Sequence, residues 1–253
     1  MELQHIQWQP TQYAAFLQQL SEQADPDYQA FHQKLLVSDL PVLGIRLPQL
    51  RKLAKEIGKG DSRGFLSVCG TTFHEERLLY GFVSATLPYF EFLPHSDHMA
   101  EVLTENWGTC DTFCSSLRQV LSIPENKAHY FDHILSYLSS KNPWALRVGL
   151  IIMLTQYLQE DTITEVLQRT GAVQSDFYYV RMAQAWLFAT AWAKFRDQTA
   201  AYLQACPPEA WTFRKFVQKA CESRRISPED KAYLKSLLPP VSRTSTTSVS
   251  QHS

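Results

Sequence analysis

Glycine is scarce in this chain, with nine Gly among 253 residues. Barrels and sandwiches with many tight turns use glycine often, because it adopts positive φ without strain, so the scarcity disfavours those folds. No apolar run approaches the roughly 20 residues that a membrane-spanning helix requires. Residues 1–10 also lack the basic segment and apolar run of a signal peptide. These absences predict a cytoplasmic protein with no membrane partner.

Cysteine is present in an odd number and in no paired motif. The five residues are Cys69, Cys110, Cys114, Cys206 and Cys221. Their spacing is not that of a disulfide framework, and no C-x-x-C pair occurs. Cys110 and Cys114 lie one helical turn apart, but no His or Cys pair nearby could complete a zinc site. We therefore expect no metal and no other cofactor.

An excess of positive charge is missing as well, since the formal net charge is −1. Proteins that bind nucleic acid usually have a positive excess, so any basic surface here must come from local clustering. Hydrophobic residues make up 45% of the chain and charged residues 19%, which is enough for a substantial core.

Apolar residues recur at helical spacing along nearly the whole chain, which predicts an all-α fold. The predicted helices are 11–23, 26–36, 48–57, 73–85, 110–121, 143–158, 177–195, 198–205, 209–221 and 228–238. Asp61, Asp176 and Ser227 stand where N-caps are expected. Residues 1–238 are predicted to form one domain. Residues 239–253 are rich in Ser and Thr and are predicted to be a disordered tail.

An internal repeat runs through the second half of this pattern. A charged residue recurs every 34 to 36 positions in the first turns of successive helices: Arg77, Asp111, Arg147, Arg181 and Lys215. A period near 35 residues with two helices per unit is typical of a solenoid, and the absence of a TPR pattern favours HEAT-like repeats with a concave face. Equivalent residues of stacked repeats should form a row on one face.

Two interpretations of this charged row remain open. In the first, the row is a salt-bridge ladder in which Asp111 pairs with Arg77 and Arg147. In the second, the cations bind phosphates, and the carboxylate of Asp111 faces something cationic between them.

Aromatic and basic residues accompany the row. Trp107, Trp144 and Trp186 recur beside it, which favours contact with sugars or bases, although most aromatic residues of a helical protein lie in its core. Two basic clusters could flank the row to form a groove, or could be solvated faces. They are Arg46, Arg51, Lys52, Lys55 and Lys59, and Arg214, Lys215, Lys219, Arg224, Arg225, Lys231 and Lys235.

Five segments in this order resemble the AlkD-like DNA alkylation repair family, over about residues 26–238. They are Gly44-Ile45-Arg46-Leu47-Pro48, His74-Glu75-Glu76-Arg77-Leu78, Asn106-Trp107 with Asp111, Trp144 with Arg147, and Tyr178-Tyr179-Val180-Arg181-Met182-Ala183 with Trp186. The resemblance implies a HEAT-like solenoid whose concave face binds double-stranded DNA. It also implies a DNA glycosylase that releases cationic N3- and N7-alkylpurines in base excision repair, and we expect it to act as a monomer.

The resemblance further implies roles for single residues. Asp111 would be the catalytic carboxylate, which stabilises the oxocarbenium ion that develops on the sugar. Trp107 and Trp186 would flank the deoxyribose. DNA-binding roles would fall to Arg147, Arg77, Arg181, Lys215 and Trp144.

Two departures from the family pattern support an alternative. Gly108 stands where active members commonly have Asp, and residues 35–43 are too short and proline-interrupted for the extra helix that probes the minor groove. A non-catalytic DNA-binding paralog therefore competes with the glycosylase. A protein-binding scaffold, a common role of solenoids, is the third possibility.

Overall fold

A computed structural model describes residues 2–238, and throughout this part the protein is α-helical without a β-strand. The tail predicted for residues 239–253 lies outside the described residues. The helices are α1 (Pro10–Glu22), α2 (Pro26–Leu36), α3 (Leu47–Ile57), α4 (Ser62–Val68), α5 (His74–Ser84), α6 (Tyr89–His98), α7 (Trp107–Ser115), α8 (Pro124–Ile134), α9 (Pro143–Gln156), α10 (Ile163–Ala172), α11 (Tyr178–Lys194), α12 (Arg196–Ala205), α13 (Ala210–Glu222) and α14 (Pro228–Ser236). None of these helices is both long and apolar enough to cross a bilayer.

Side-chain caps determine where several helices begin. The predicted N-caps Asp61 and Ser227 accept hydrogen bonds from the backbone N–H groups of Gly64 and Asp230, which satisfies donors that a helix start leaves open. The prediction for Asp176 was wrong, because the N-cap of α11 is Phe177.

The helices form two layers. The odd-numbered helices from α3 to α13 pack in chain order, each on the next, and most even-numbered helices pack against a helix of this first layer. In the second layer, α10 also contacts α12. The predicted all-α fold of helical repeats is confirmed.

The repeat inferred from the sequence coincides with this layer. Its five charged residues lie on α5, α7, α9, α11 and α13, one on each successive helix and near its start. Large apolar side chains of both layers fill the space between them, in one continuous buried cluster from Leu3 to Leu234. The burial of this cluster stabilises the stack, because each repeat covers the apolar face of the next.

Between α2 and α3 the chain forms a connection without a helix. Its end is held by the buried carboxylate of Glu75, which accepts hydrogen bonds from the backbone N–H groups of Leu43, Gly44 and Ile45 at 2.8, 2.8 and 3.1 Å. Gly44 adopts a φ of 100°, and a Cβ at this position would lie 2.7 Å from the carbonyl oxygen of Asp25. The prediction that no additional helix fits here is confirmed.

Candidate nucleic-acid interface

An ion pair between Asp111 and Arg147 lies at the centre of the first layer. Nη2 of Arg147 donates to both carboxylate oxygens of Asp111, at 2.8 and 3.0 Å, and Nη1 donates to the carbonyl oxygen of Tyr179 at 2.6 Å. The Arg147 side chain is 6% exposed and the Asp111 side chain 22%. Three successive helices, α7, α9 and α11, are thereby joined through one guanidinium group, and part of the carboxylate still faces solvent.

Burial and pairing act in opposite directions on this carboxylate. Burial raises the pKa of Asp111 above its ordinary value, although the positive charge and the hydrogen bonds of Arg147 lower it. Nε of Arg147 is also buried and has no hydrogen-bond partner within residues 2–238. Because burial removes both charges from water, the pair contributes less to stability than its short distances suggest.

A cleft of about 350 Å³ opens beside this ion pair. Its lining consists of Trp107, Arg147, Tyr178, Tyr179, Met182, Trp186 and Lys219. The indole N–H of Trp107 donates to the carbonyl oxygen of Leu35 at 3.3 Å, which fixes the ring against the end of α2. Trp186 is 38% exposed. The cleft thus offers aromatic faces next to a charged pair, a combination suited to a sugar or a base.

The cleft is also lined by Tyr178, Tyr179, Met182 and Lys219, which had no site role in the sequence-based prediction, although the spacing of Tyr178 and Met182 from Trp186 contains a signal. Tyr178, Met182 and Trp186 follow one another at intervals of four along α11, so they form one stripe on that helix. A buried face of a helix has the same period, so periodicity alone does not distinguish a stripe that lines a cleft from one that lies in the core. Lys219 reaches the cleft from α13, and no sequence pattern connects it to α11.

Trp144 is placed beside the cleft lining rather than in it. Its ring stacks on Tyr179, with centroids 5.0 Å apart, and contacts Phe177 edge-on at 5.2 Å. The backbone carbonyl of Tyr179 accepts a hydrogen bond from Arg147. Trp144 therefore packs against a residue that holds the ion pair in place.

The comparisons with known proteins agree with the motifs. The family model described as DNA alkylation repair enzyme matches residues 16–215. The chain belongs to the DNA alkylation repair enzyme family. A search of curated proteins gives no match. The resemblance inferred from the sequence is confirmed, and family membership assigns the protein a role in DNA repair, which involves interaction with DNA.

In this DNA alkylation repair protein, most cations of the predicted row are paired within the fold. Arg77 donates to the carbonyl oxygens of Thr71 and Leu103 and forms an ion pair with Glu105 at 2.9 Å. Arg181 pairs with Glu209 and lies 4.3 Å from the centroid of the Trp211 ring.

Lys215 donates to Oε1 of Gln218 at 3.0 Å. The ladder interpretation holds only in part, because Asp111 pairs with Arg147 whereas Arg77 pairs with Glu105.

Gly108 has a packing reason. A Cβ at this position would lie 2.4 Å from Cδ2 of Leu36 and 3.5 Å from Cε1 of His74. Leu36 is fully buried at the end of α2, so α2 and α7 approach closely where the family pattern has Asp.

Metal-ligating side chains are not grouped in the part of the chain that the structure describes. Within residues 2–238, no cluster of His, Cys, Asp and Glu side chains could hold an ion.

Proposed function

We propose that this protein is a DNA glycosylase that hydrolyses the N-glycosidic bond of cationic N3- and N7-alkylpurines in duplex DNA. The observation that supports this most directly is the partly exposed carboxylate of Asp111 beside a cleft lined by Trp107 and Trp186. An alkylated purine already carries positive charge and leaves without protonation. The protein therefore has to stabilise positive charge on the sugar rather than to supply an acid.

In this proposal the carboxylate of Asp111 stabilises the developing oxocarbenium ion and orients the attacking water. The electron-rich faces of Trp107 and Trp186 favour the same cation. Arg147 acts as a positioning residue, because both of its Nη atoms are engaged by Asp111 and Tyr179. Its charge lowers the pKa of the carboxylate, in opposition to the effect of burial.

A second candidate, DNA binding without excision, is favoured by the connection between α2 and α3. That connection contains no helix, and Glu75 ties its end to α5. The minor-groove helix implied by the resemblance has no counterpart there, and Gly108 replaces the carboxylate expected next to Trp107.

The first prediction separates these candidates. Wild-type protein incubated with methylated duplex DNA should release 7-methylguanine, measured by chromatography of the free bases. Asp111→Asn should lose on the order of 100-fold or more in rate, because the amide cannot balance the cationic transition state. The rate should also fall as the pH drops through the pKa of Asp111, because the carboxylate must be ionised. Burial raises this pKa, so the fall should occur at a higher pH than for an ordinary aspartate.

Asparagine can still accept a hydrogen bond from Arg147 but leaves its buried charge uncompensated, so the variant should be less stable than wild type. Circular dichroism at the assay temperature is the control that it is folded. If wild type releases no alkylated base but binds duplex DNA with a steep salt dependence, the glycosylase proposal is rejected and the second candidate stands. A flat salt response would reject both and leave a protein-binding scaffold.

A further inference from the structure

A second cleft, of about 360 Å³, adjoins the one beside Asp111. The two clefts share Trp186 and Lys219. The remaining lining residues are Ala189, Thr190, Ala193, Glu222, Ser223, Arg224 and Arg225. A ligand that extends from the first cleft past Trp186 would therefore enter the second.

The floor of the second cleft is built from small side chains of α11. Ala189, Thr190 and Ala193 continue along the helix from Trp186, and the hydroxyl of Thr190 is turned inward to the carbonyl oxygen of Trp186 at 2.9 Å. Small residues leave room for an extended chain to approach the helix closely. Because this cleft is continuous with the first one at Trp186 and Lys219, the two together can take one strand of a polymer that extends along α11.

The rim of this cleft has an unbalanced positive charge. Arg224 and Arg225 are exposed in the turn between α13 and α14, and Ile226, 5% exposed, anchors that turn in the core. Within residues 2–238, neither guanidinium group makes an ion pair or a hydrogen bond with another side chain. Lys219, by contrast, pairs with Glu222 at 3.0 Å, so the charge of the two arginines is not offset locally.

The arginines of the predicted row differ from those of the turn in being paired. Arg77, Arg147 and Arg181 are each paired with a carboxylate of the fold. A phosphate could reach them only by displacing that partner, whereas the arginines of the turn need no such exchange. Among the arginines that lie near the two clefts, those of the turn are therefore available to a phosphate, whereas Arg147 and Arg181 are not.

We propose that Arg224 and Arg225 form a phosphate-binding site for the DNA strand that passes Trp186 into the second cleft. The inference rests on the proposed function in that the strand is the one whose sugar lies beside Asp111. The two arginines hold successive phosphates through charge-assisted hydrogen bonds, and the ring of Trp186 stacks between the two clefts on a sugar or base.

Salt-dependent binding of unmodified duplex DNA tests this proposal. Each phosphate contact contributes about 0.9 to the slope of log K against log salt. Arg224→Ala/Arg225→Ala should therefore reduce the slope by up to about 2 and weaken binding on the order of tenfold at low salt. Arg224→Lys/Arg225→Lys, which keeps the charge, should retain most of the slope.

The matched control is Lys231→Ala/Lys235→Ala, which removes two unpaired charges from α14 at the same end of the chain. If it lowers the slope as much as the arginine variant, the effect is one of net charge and the site is rejected. An unchanged slope in the arginine variant also rejects it. Release of 7-methylguanine by wild type separates this failure from that of the proposed function, because the glycosylase proposal fails when wild type releases no base, whatever the salt slope of the arginine variant.

Discussion

At the scale of single residues, the central feature is that Asp111 and Arg147 depend on each other. Removal of either partner leaves a largely buried charge without compensation, and breaking such a buried pair costs several kcal/mol. The pair therefore orients a carboxylate at the edge of the cleft at some cost in stability. Charge held in a destabilised arrangement is common where a protein acts on a ligand.

Gly108 is a second residue with a local cause, and it leads to a prediction. Gly108→Asp, which would restore the expected family residue, should lower the free energy of unfolding by about 1–3 kcal/mol, because the new side chain overlaps Leu36. Denaturant unfolding followed by circular dichroism measures the change.

A double-mutant cycle is the control for this prediction. If the Leu36 side chain causes the clash, Gly108→Ala should be tolerated better in a Leu36→Ala background than in wild type, with a favourable coupling energy. Full stability of Gly108→Asp would show that α2 and α7 can separate, and the packing explanation would then be wrong.

At the scale of elements, the connection between α2 and α3 is held by one carboxylate. Glu75→Gln should destabilise the protein by about 2 kcal/mol, because the amide presents an NH₂ group to at least one backbone N–H of Leu43, Gly44 or Ile45. The midpoint of urea unfolding measures this loss.

Glu56→Gln on α3 is a suitable comparison, since Glu56 forms no ion pair within residues 2–238. It should leave the midpoint within experimental error. Equal effects of the two substitutions would mean that Glu75 does not organise the connection.

The helices were not equally predictable. All first-layer helices from α3 to α13 were predicted, although α7 begins at Trp107 rather than Cys110. The helices missed were α4, α6, α8 and α10, all in the second layer. Pro94 lies inside α6, and α8 starts at Pro124; proline is common in connections, so neither segment has a clear helical pattern. In α10 the spacing of Ile163, Val166 and Leu167 does contain a helical signal.

At the scale of the whole molecule, the distribution of paired and unpaired charge assigns separate roles to the arginines. Arg77→Ala should lower the free energy of unfolding by about 2 kcal/mol, since the guanidinium links α5 to two carbonyl groups and to Glu105. It should leave the salt slope of DNA binding unchanged. Thermal unfolding and binding titrations on the same preparation measure both.

The opposite behaviour is expected of Arg224→Ala/Arg225→Ala, which should keep its stability and lose salt slope. If Arg77→Ala keeps full stability but reduces the salt slope of DNA binding, Arg77 contacts a phosphate, and this assignment of roles is wrong.

The sequence by itself determined the helical repeat and the family, because periodicity and the spacing of motifs are properties of a linear pattern. Tertiary structure alone decided which charges are available. Whether an arginine is neutralised depends on carboxylates distant in the chain, as Glu105 is from Arg77 and Glu209 from Arg181. Ion pairs form between neighbours in space, and no period in the sequence specifies them.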